Sequence, residues 1–140
     1  MKIKLVHPDA ICPKYAHNSD AGMDLYSVED VCVVPGQWAM VATGIKIELP
    51  EDMEAQIRPK SGLANQGLTV LNTPGTVDSG YRGEVKVLLV NFGTIPFKIE
   101  KGMKIAQMVI NKVEHPTIEI VMELTESDRG EGGFGSTGLK

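Results

Sequence analysis

Apolar and polar residues alternate one for one along most of the chain. Ile3 and Leu5 alternate with Lys2 and Lys4, and Ile45, Ile47 and Leu49 with Lys46 and Glu48. Met53, Ala55 and Ile57 alternate with Glu54, Gln56 and Arg58, and the stretch Lys104 to Ile110 reads as a further strand in which Gln107 interrupts apolar residues. Ile118, Ile120, Met122 and Leu124 repeat the pattern near the C-terminus. Successive side chains of a strand point to opposite faces, so a period of two marks a sheet with one covered face. No segment sustains a helical period. At most one turn of helix is expected, after Ser61, over residues 62–66.

Turn signals separate these runs: Pro35-Gly36, Pro50-Glu51-Asp52, Pro74-Gly75, Asn91-Phe92-Gly93 and Glu100-Lys101-Gly102. Many short strands at this spacing predict an all-β sandwich, jelly roll or barrel. With 140 residues, no repeat and no linker, one domain with one core is expected. The end of the chain differs. From Gly130 to Lys140, residues 130, 132, 133, 135 and 138 are glycine, and only Phe134 and Leu139 are large and apolar. Such a segment buries too little surface to offset its ordering entropy, which predicts a mobile arm over 129–140 after a barrel domain over 1–128. One aromatic among glycines, flanked by Arg129 and by Ser136-Thr137, suits a flap that stacks on a ring and meets phosphate.

Composition narrows the function. Apolar residues make up 42%, a globular value, and no apolar run is long enough to cross a bilayer. The N-terminus alternates lysine with apolar residues and is unlike a signal peptide, so a cytoplasmic protein is expected. Cys12 and Cys32 form no CxxC pair, and His7, His17 and His115 are scattered, so neither a zinc site nor a metal cluster is indicated. A net charge of −4 argues against a nucleic-acid polymer as partner. A small polyanion remains possible if the few basic residues gather locally.

Five segments carry residues suited to chemistry. In Ala21-Gly22-Met23-Asp24-Leu25-Tyr26-Ser27, a carboxylate between apolar neighbours needs a cationic partner, because an unpaired buried charge is costly. Arg58-Pro59-Lys60-Ser61-Gly62 concentrates two cations, a hydroxyl and a glycine, which suits phosphate. Gly75 to Glu84 lies between two apolar strands as a hairpin-like insertion, where Asp78 beside Tyr81 could orient water against a sugar-bearing substrate. Asp78-Ser79-Gly80 also has the form of the aspartic-protease triplet, but Tyr81-Arg82 follows where that family has small apolar residues. Gln107 is either a satisfied core amide or a phosphate donor. Gly130 to Thr137 nearly spells the phosphate-binding P-loop, yet it lacks the lysine and any following helix, so a P-loop ATPase is excluded.

In this order, the five segments resemble the motifs of the trimeric dUTP nucleotidohydrolase (dUTPase) family, over about Ala21 to Gly138. The resemblance implies a jelly-roll-like β-barrel (a β-clip) and a homotrimer whose active sites are shared between subunits. It implies hydrolysis of dUTP to dUMP and pyrophosphate, which keeps uracil out of DNA and supplies dUMP for thymidylate synthesis. Mg²⁺ would be held by the substrate phosphates and water, with no direct side-chain ligand. Asp78 would be the base, Tyr81 would lie under the sugar, and Asn72 with the backbone of residues 71–77 would read uracil. Lys60, Ser61, Gly62 and Gln107 would contact phosphates, backed by Asp24, Arg58 and Lys104. Arg129, Phe134, Gly135, Ser136 and Thr137 would form the closing arm. Many members have arginine at the positions of Lys60 and Lys104; lysine keeps the charge but loses the planar fork, and Arg58 is a candidate to compensate. Two rivals are a dCTP deaminase of the same fold, with a longer chain and a catalytic glutamate, and a non-enzymatic β-barrel binding module.

Overall fold

The computed structural model describes residues 1–134 and 136. In chain order they form β1 (Lys2–Leu5), β2 (Gly22–Tyr26), β3 (Val31–Val33), β4 (Trp38–Ala42), β5 (Ile45–Glu48) and β6 (Met53–Arg58). One turn of helix, α1 (Ser61–Ala64), follows, and then β7 (Leu68–Val70), β8 (Gly75–Val77), β9 (Lys86–Asn91), β10 (Phe97–Ile99) and β11 (Lys104–Lys112). The helical turn after Ser61 therefore forms where the sequence allows it, with Leu63 buried beneath it.

The strands build a four-stranded sheet in the order β2-β11-β6-β8 and a three-stranded sheet in the order β4-β9-β7, with two-stranded ladders β1-β5 and β3-β10. Every pairing is antiparallel. Alternation decides the inner face: Ala55 and Ile57 of β6, Leu25 of β2 and Met108 of β11 meet Val41, Val87, Leu89, Leu68 and Val70 in one contiguous core. Ile45 and Ile47 of β5 join that core, as the alternation requires. The fold is all-β and jelly-roll-like. It departs from a closed barrel, however, because among the described residues the four sheets remain separate and leave edges open.

Two further expectations are corrected. Ile118, Ile120, Met122 and Leu124 form no strand, and their side chains are 88 to 99% exposed. Alternation encodes the ability to pair, but a strand forms only where a neighbouring edge completes its hydrogen bonds, and among the described residues none does so here. The segment before Asp78 is also not half of a hairpin. β7 pairs with β9 and β8 with β6, so residues 71–74 carry the chain from one sheet to the other. The buried Gly75 lets this crossing lie close, with the Asn72 amide 3.2 Å from where its Cβ would stand.

Candidate active site

Asp24 stands in the middle of β2, and cross-strand register sets Asp24, Gln107 and Arg58 side by side across β2, β11 and β6. A bulge in β11 between Lys104 and Ala106 adds one residue against β2. Lys104 and Gln107 are an odd number of residues apart, so a regular strand would point them to opposite faces; the extra residue brings both to the Asp24 row. Lys60, just past β6, donates to Asp24 Oδ1, and Lys104 Nζ donates to Oδ2 at 2.6 Å. The buried carboxylate thus has the cationic partners that the sequence demanded.

Burial pushes the Asp24 carboxyl up, but hydrogen bonds and charge from Lys104 and Lys60 outweigh it and hold the group below its ordinary value. Reciprocally, the hydrogen bond and charge of Asp24 raise the Lys104 ammonium. Gln107 Nε2 donates to the Pro59 carbonyl at 2.9 Å and so fixes the turn that presents Lys60, Ser61 and Gly62. The glutamine fits because position 22 is glycine: a Cβ there would lie 2.6 Å from Gln107 Oε1. These groups, with Asp20, line a cavity of about 320 Å³, and Ser61 and Gly62 are exposed at the start of α1.

Asp78, Asn72 and Tyr81 line a second cavity, of about 280 Å³, together with Met40, Thr76, Glu84 and Leu88. Tyr81 N–H donates to the Asp78 carbonyl at 3.0 Å, closing a tight turn that leaves the Asp78 side chain exposed. Tyr81 Oη donates to the Glu84 carbonyl at 3.1 Å, and Arg82 ties the loop down through the Ser79 carbonyl at 2.6 Å.

The two cavities are distinct. Val77 pairs with Ala55, so Asp78 lies level with Glu54, four residues from Arg58 on β6. At about 3.3 Å per residue that is roughly 13 Å along the strand, and three strand spacings of about 4.8 Å separate β8 from β2. The structure gathers Asp24, Lys60, Lys104 and Gln107 at one place and Asn72, Asp78 and Tyr81 at another.

Other residues join neither group. Arg58 turns back along its own strand, where Nε and Nη2 both donate to Gln56 Oε1 at 3.0 and 2.6 Å. In the arm, Arg129 Nε donates to the Gly132 carbonyl at 2.8 Å, Ser136 N–H donates to the Gly133 carbonyl, and Phe134 is fully exposed. Gly135 and Thr137 lie outside the described residues. Met40 and Leu88 escaped the sequence reading because they come from distant strands without a motif, and Glu84 because a glutamate in a turn looks like a solvated charge. A larger open cleft, about 600 Å³, runs along β3 and β10 and holds none of the motif residues. Among the described residues no group of three His, Cys, Asp or Glu could hold a metal ion, and both Asp24 oxygens are occupied by lysines.

A family model for dUTPase matches residues 8–138, all five segments included. The chain belongs to the dUTPase family. Deoxyuridine 5'-triphosphate nucleotidohydrolase of Clostridium tetani is 61% identical over 139 residues, covering 99% of this chain and 96% of the relative. The protein of the same name from Clostridioides difficile is 57% identical, covering 99% and 98%. The solved structure of Staphylococcus bacteriophage 80alpha dUTPase with dUPNHPP superposes with a TM-score of 0.93 at 28% identity, covering 99% of this chain and 98% of that one. In this member of the family the lysines at 60 and 104 each sit on one oxygen of Asp24.

Proposed function

We propose that this chain hydrolyses dUTP to dUMP and pyrophosphate. One observation carries the reading: a carboxylate and an aromatic ring share one cavity, while two lysines clasp a buried aspartate at another, in a chain of this family. The first cavity suits a deoxynucleoside. Asn72 and the backbone of residues 71–77 read the uracil edge, and Tyr81 lies under the sugar. The second suits a triphosphate, with Lys60, Ser61, Gly62 and Gln107 as its contacts. Asp24 holds Lys60 and Lys104 at fixed positions, and so the basic residues of an acidic protein gather locally.

Phosphoryl transfer asks a protein mainly for positioning and charge neutralisation. Asp78 accepts a proton from the attacking water as its oxygen bonds to phosphorus, and the bond to the departing pyrophosphate breaks. Mg²⁺ enters with the triphosphate as part of the substrate and offsets its negative charge. Residues 129–140 close over the site, with Arg129 and the hydroxyls of Ser136 and Thr137 toward phosphate and Phe134 toward the base. Closure excludes water, and reopening releases product.

The active unit is a homotrimer with shared sites. Two observations support it. The two cavities lie too far apart within one chain to hold the two ends of the same nucleotide. The Ile118 to Leu124 segment exposes alternating apolar side chains that need an edge to pair with. The homotrimer is read as working in the cytoplasm, without membrane or nucleic-acid partners.

The test is pyrophosphate release from dUTP with Mg²⁺, by the wild type and by Asp78→Asn. Turnover by the wild type, with loss of at least about a thousandfold in the variant and nucleotide binding retained, is expected. An equally active Asp78→Asn removes the base. Ammonia from dCTP would move the protein to the deaminase branch.

A further inference from the structure

Gly83 has no backbone reason to be glycine. Its φ lies outside the left-handed region, so an L residue can follow the same chain path. What a side chain would meet is Tyr81. A Cβ at position 83 would stand 2.2 Å from Tyr81 Oη, 2.3 Å from Cζ and 2.8 Å from Cε2, inside the distance that real Cβ atoms keep. Gly80, in the same loop, meets nothing within 4 Å. The constraint at 83 therefore comes from one aromatic ring folded back over the backbone.

That ring is pinned from the same side. Tyr81 Oη donates to the Glu84 carbonyl, and the Glu84 carboxylate accepts the Gly44 N–H at 2.8 Å. Val85 N–H donates to the Ile45 carbonyl at 2.9 Å, and Thr43 Oγ1 donates to the Val85 carbonyl. Gly44 itself has φ +68°, and its missing Cβ makes room for His7, Ala10 and Val28. A stretch anchored to the core thus holds residue 84, residue 84 holds the phenol, and the open space at 83 lets the ring lie flat. An aromatic plane has only two torsions with which to escape a clash, so any Cβ at 83 must swing the ring as a whole.

We propose that Gly83 is a specificity-determining position, which sets the Tyr81 ring where it admits a 2′-deoxyribose and rejects a 2′-hydroxyl. Gly83 is a positioning residue and acts only through Tyr81, and the inference rests on the dUTP reading above. A hydroxyl is poorly excluded by an ordinary apolar pocket, so discrimination against it needs a rigid surface at a fixed height. The Glu84 carbonyl and the space at Gly83 supply that height.

The experiment compares kcat/KM for dUTP and UTP in wild type, Gly83→Ala, Tyr81→Ala and the double variant, with a crystal structure of Gly83→Ala. Gly83→Ala is expected to show the ring displaced from Glu84 and the dUTP-to-UTP preference reduced about tenfold or more. Adding it to Tyr81→Ala is expected to change the preference no further. An equal loss on both nucleotides, or an additive loss in the double variant, overturns the proposal. Should Gly83→Ala alone fail to fold, the double variant must fold as well as Tyr81→Ala, because the clashing ring is gone; failure of that rescue also overturns it. If the wild type turns over neither nucleotide, the reading of the reaction falls, while the ring position still decides the glycine: an unmoved ring refutes the role of Gly83 in either case.

Discussion

Replacing Asp24 with asparagine keeps the shape of the side chain and removes its charge, leaving Lys60 and Lys104 facing each other over a neutral amide. One lysine can still donate to the amide oxygen, but the other meets an N–H₂ group. The Asp24 side chain is 9% exposed, whereas the lysines are 29% and 47% exposed. Breaking a fully buried pair costs about 3–5 kcal/mol, and an exposed pair is worth about 0–1. A buried anion between partly solvated cations falls between, so Asp24→Asn should lose about 1–3 kcal/mol. In a domain of this size that is a fall in Tm of about 3–10 °C.

The pH dependence identifies the cause. Asp24 has a depressed folded value, so its contribution is present above the unfolded value of about 4 and disappears as pH falls through the folded one. Lys104 has a raised folded value, so its share is present below the unfolded value of about 10.4 and is lost only as pH rises through the folded one. The difference between wild type and variant should therefore hold level from about pH 5 to pH 9 and close below about pH 4. Urea titrations at fixed chain concentration measure it, since assembly makes stability depend on concentration. A variant as stable as the wild type at pH 7, or a difference that widens in acid, refutes the charge-clasp account.

Two further outcomes concern assembly and closure. Ile120 is 97% exposed in the single chain, so Ile120→Asp should leave each chain folded but shift sedimentation from the proposed trimer toward monomer and lower turnover at least about tenfold; unchanged sedimentation removes this segment from the proposed interface. Deleting residues 129–140 should leave the trimer intact and cost most of kcat, and a fully active truncated enzyme refutes the closing arm.

Strand positions were legible because each needs only its own alternation: Ile45 and Ile47, or Ala55 and Ile57, face the core as their spacing requires. The charge demand of Asp24 was legible for the same kind of reason, since a buried carboxylate dictates the type of partner though not which lysine. Connections were harder to read. Pro74-Gly75 signals a turn equally well whether the next strand returns to its own sheet or crosses to another, and only the pairing of β8 with β6 decides. The bulge at Lys104 was hidden too, because inserting one residue changes the facing of Gln107 without leaving a mark in composition.

The alternating stretch from Ile118 to Leu124 teaches the opposite lesson. Its pattern is as regular as that of β6, yet it pairs with no strand among the described residues. Binary pattern encodes what a segment can bury, not on which molecule. The division of motif residues between two cavities has the same source. Residues 24, 60, 104 and 107 converge because β2, β11 and β6 are neighbours, while residues 72, 78 and 81 flank β8, the last strand of that sheet, and face Met40 and Leu88 of the other sheet across their cavity. On the proposed reading, a symmetric neighbour would supply the edge for the alternating segment and the complement of each half-site, which are not found among the described residues of one chain.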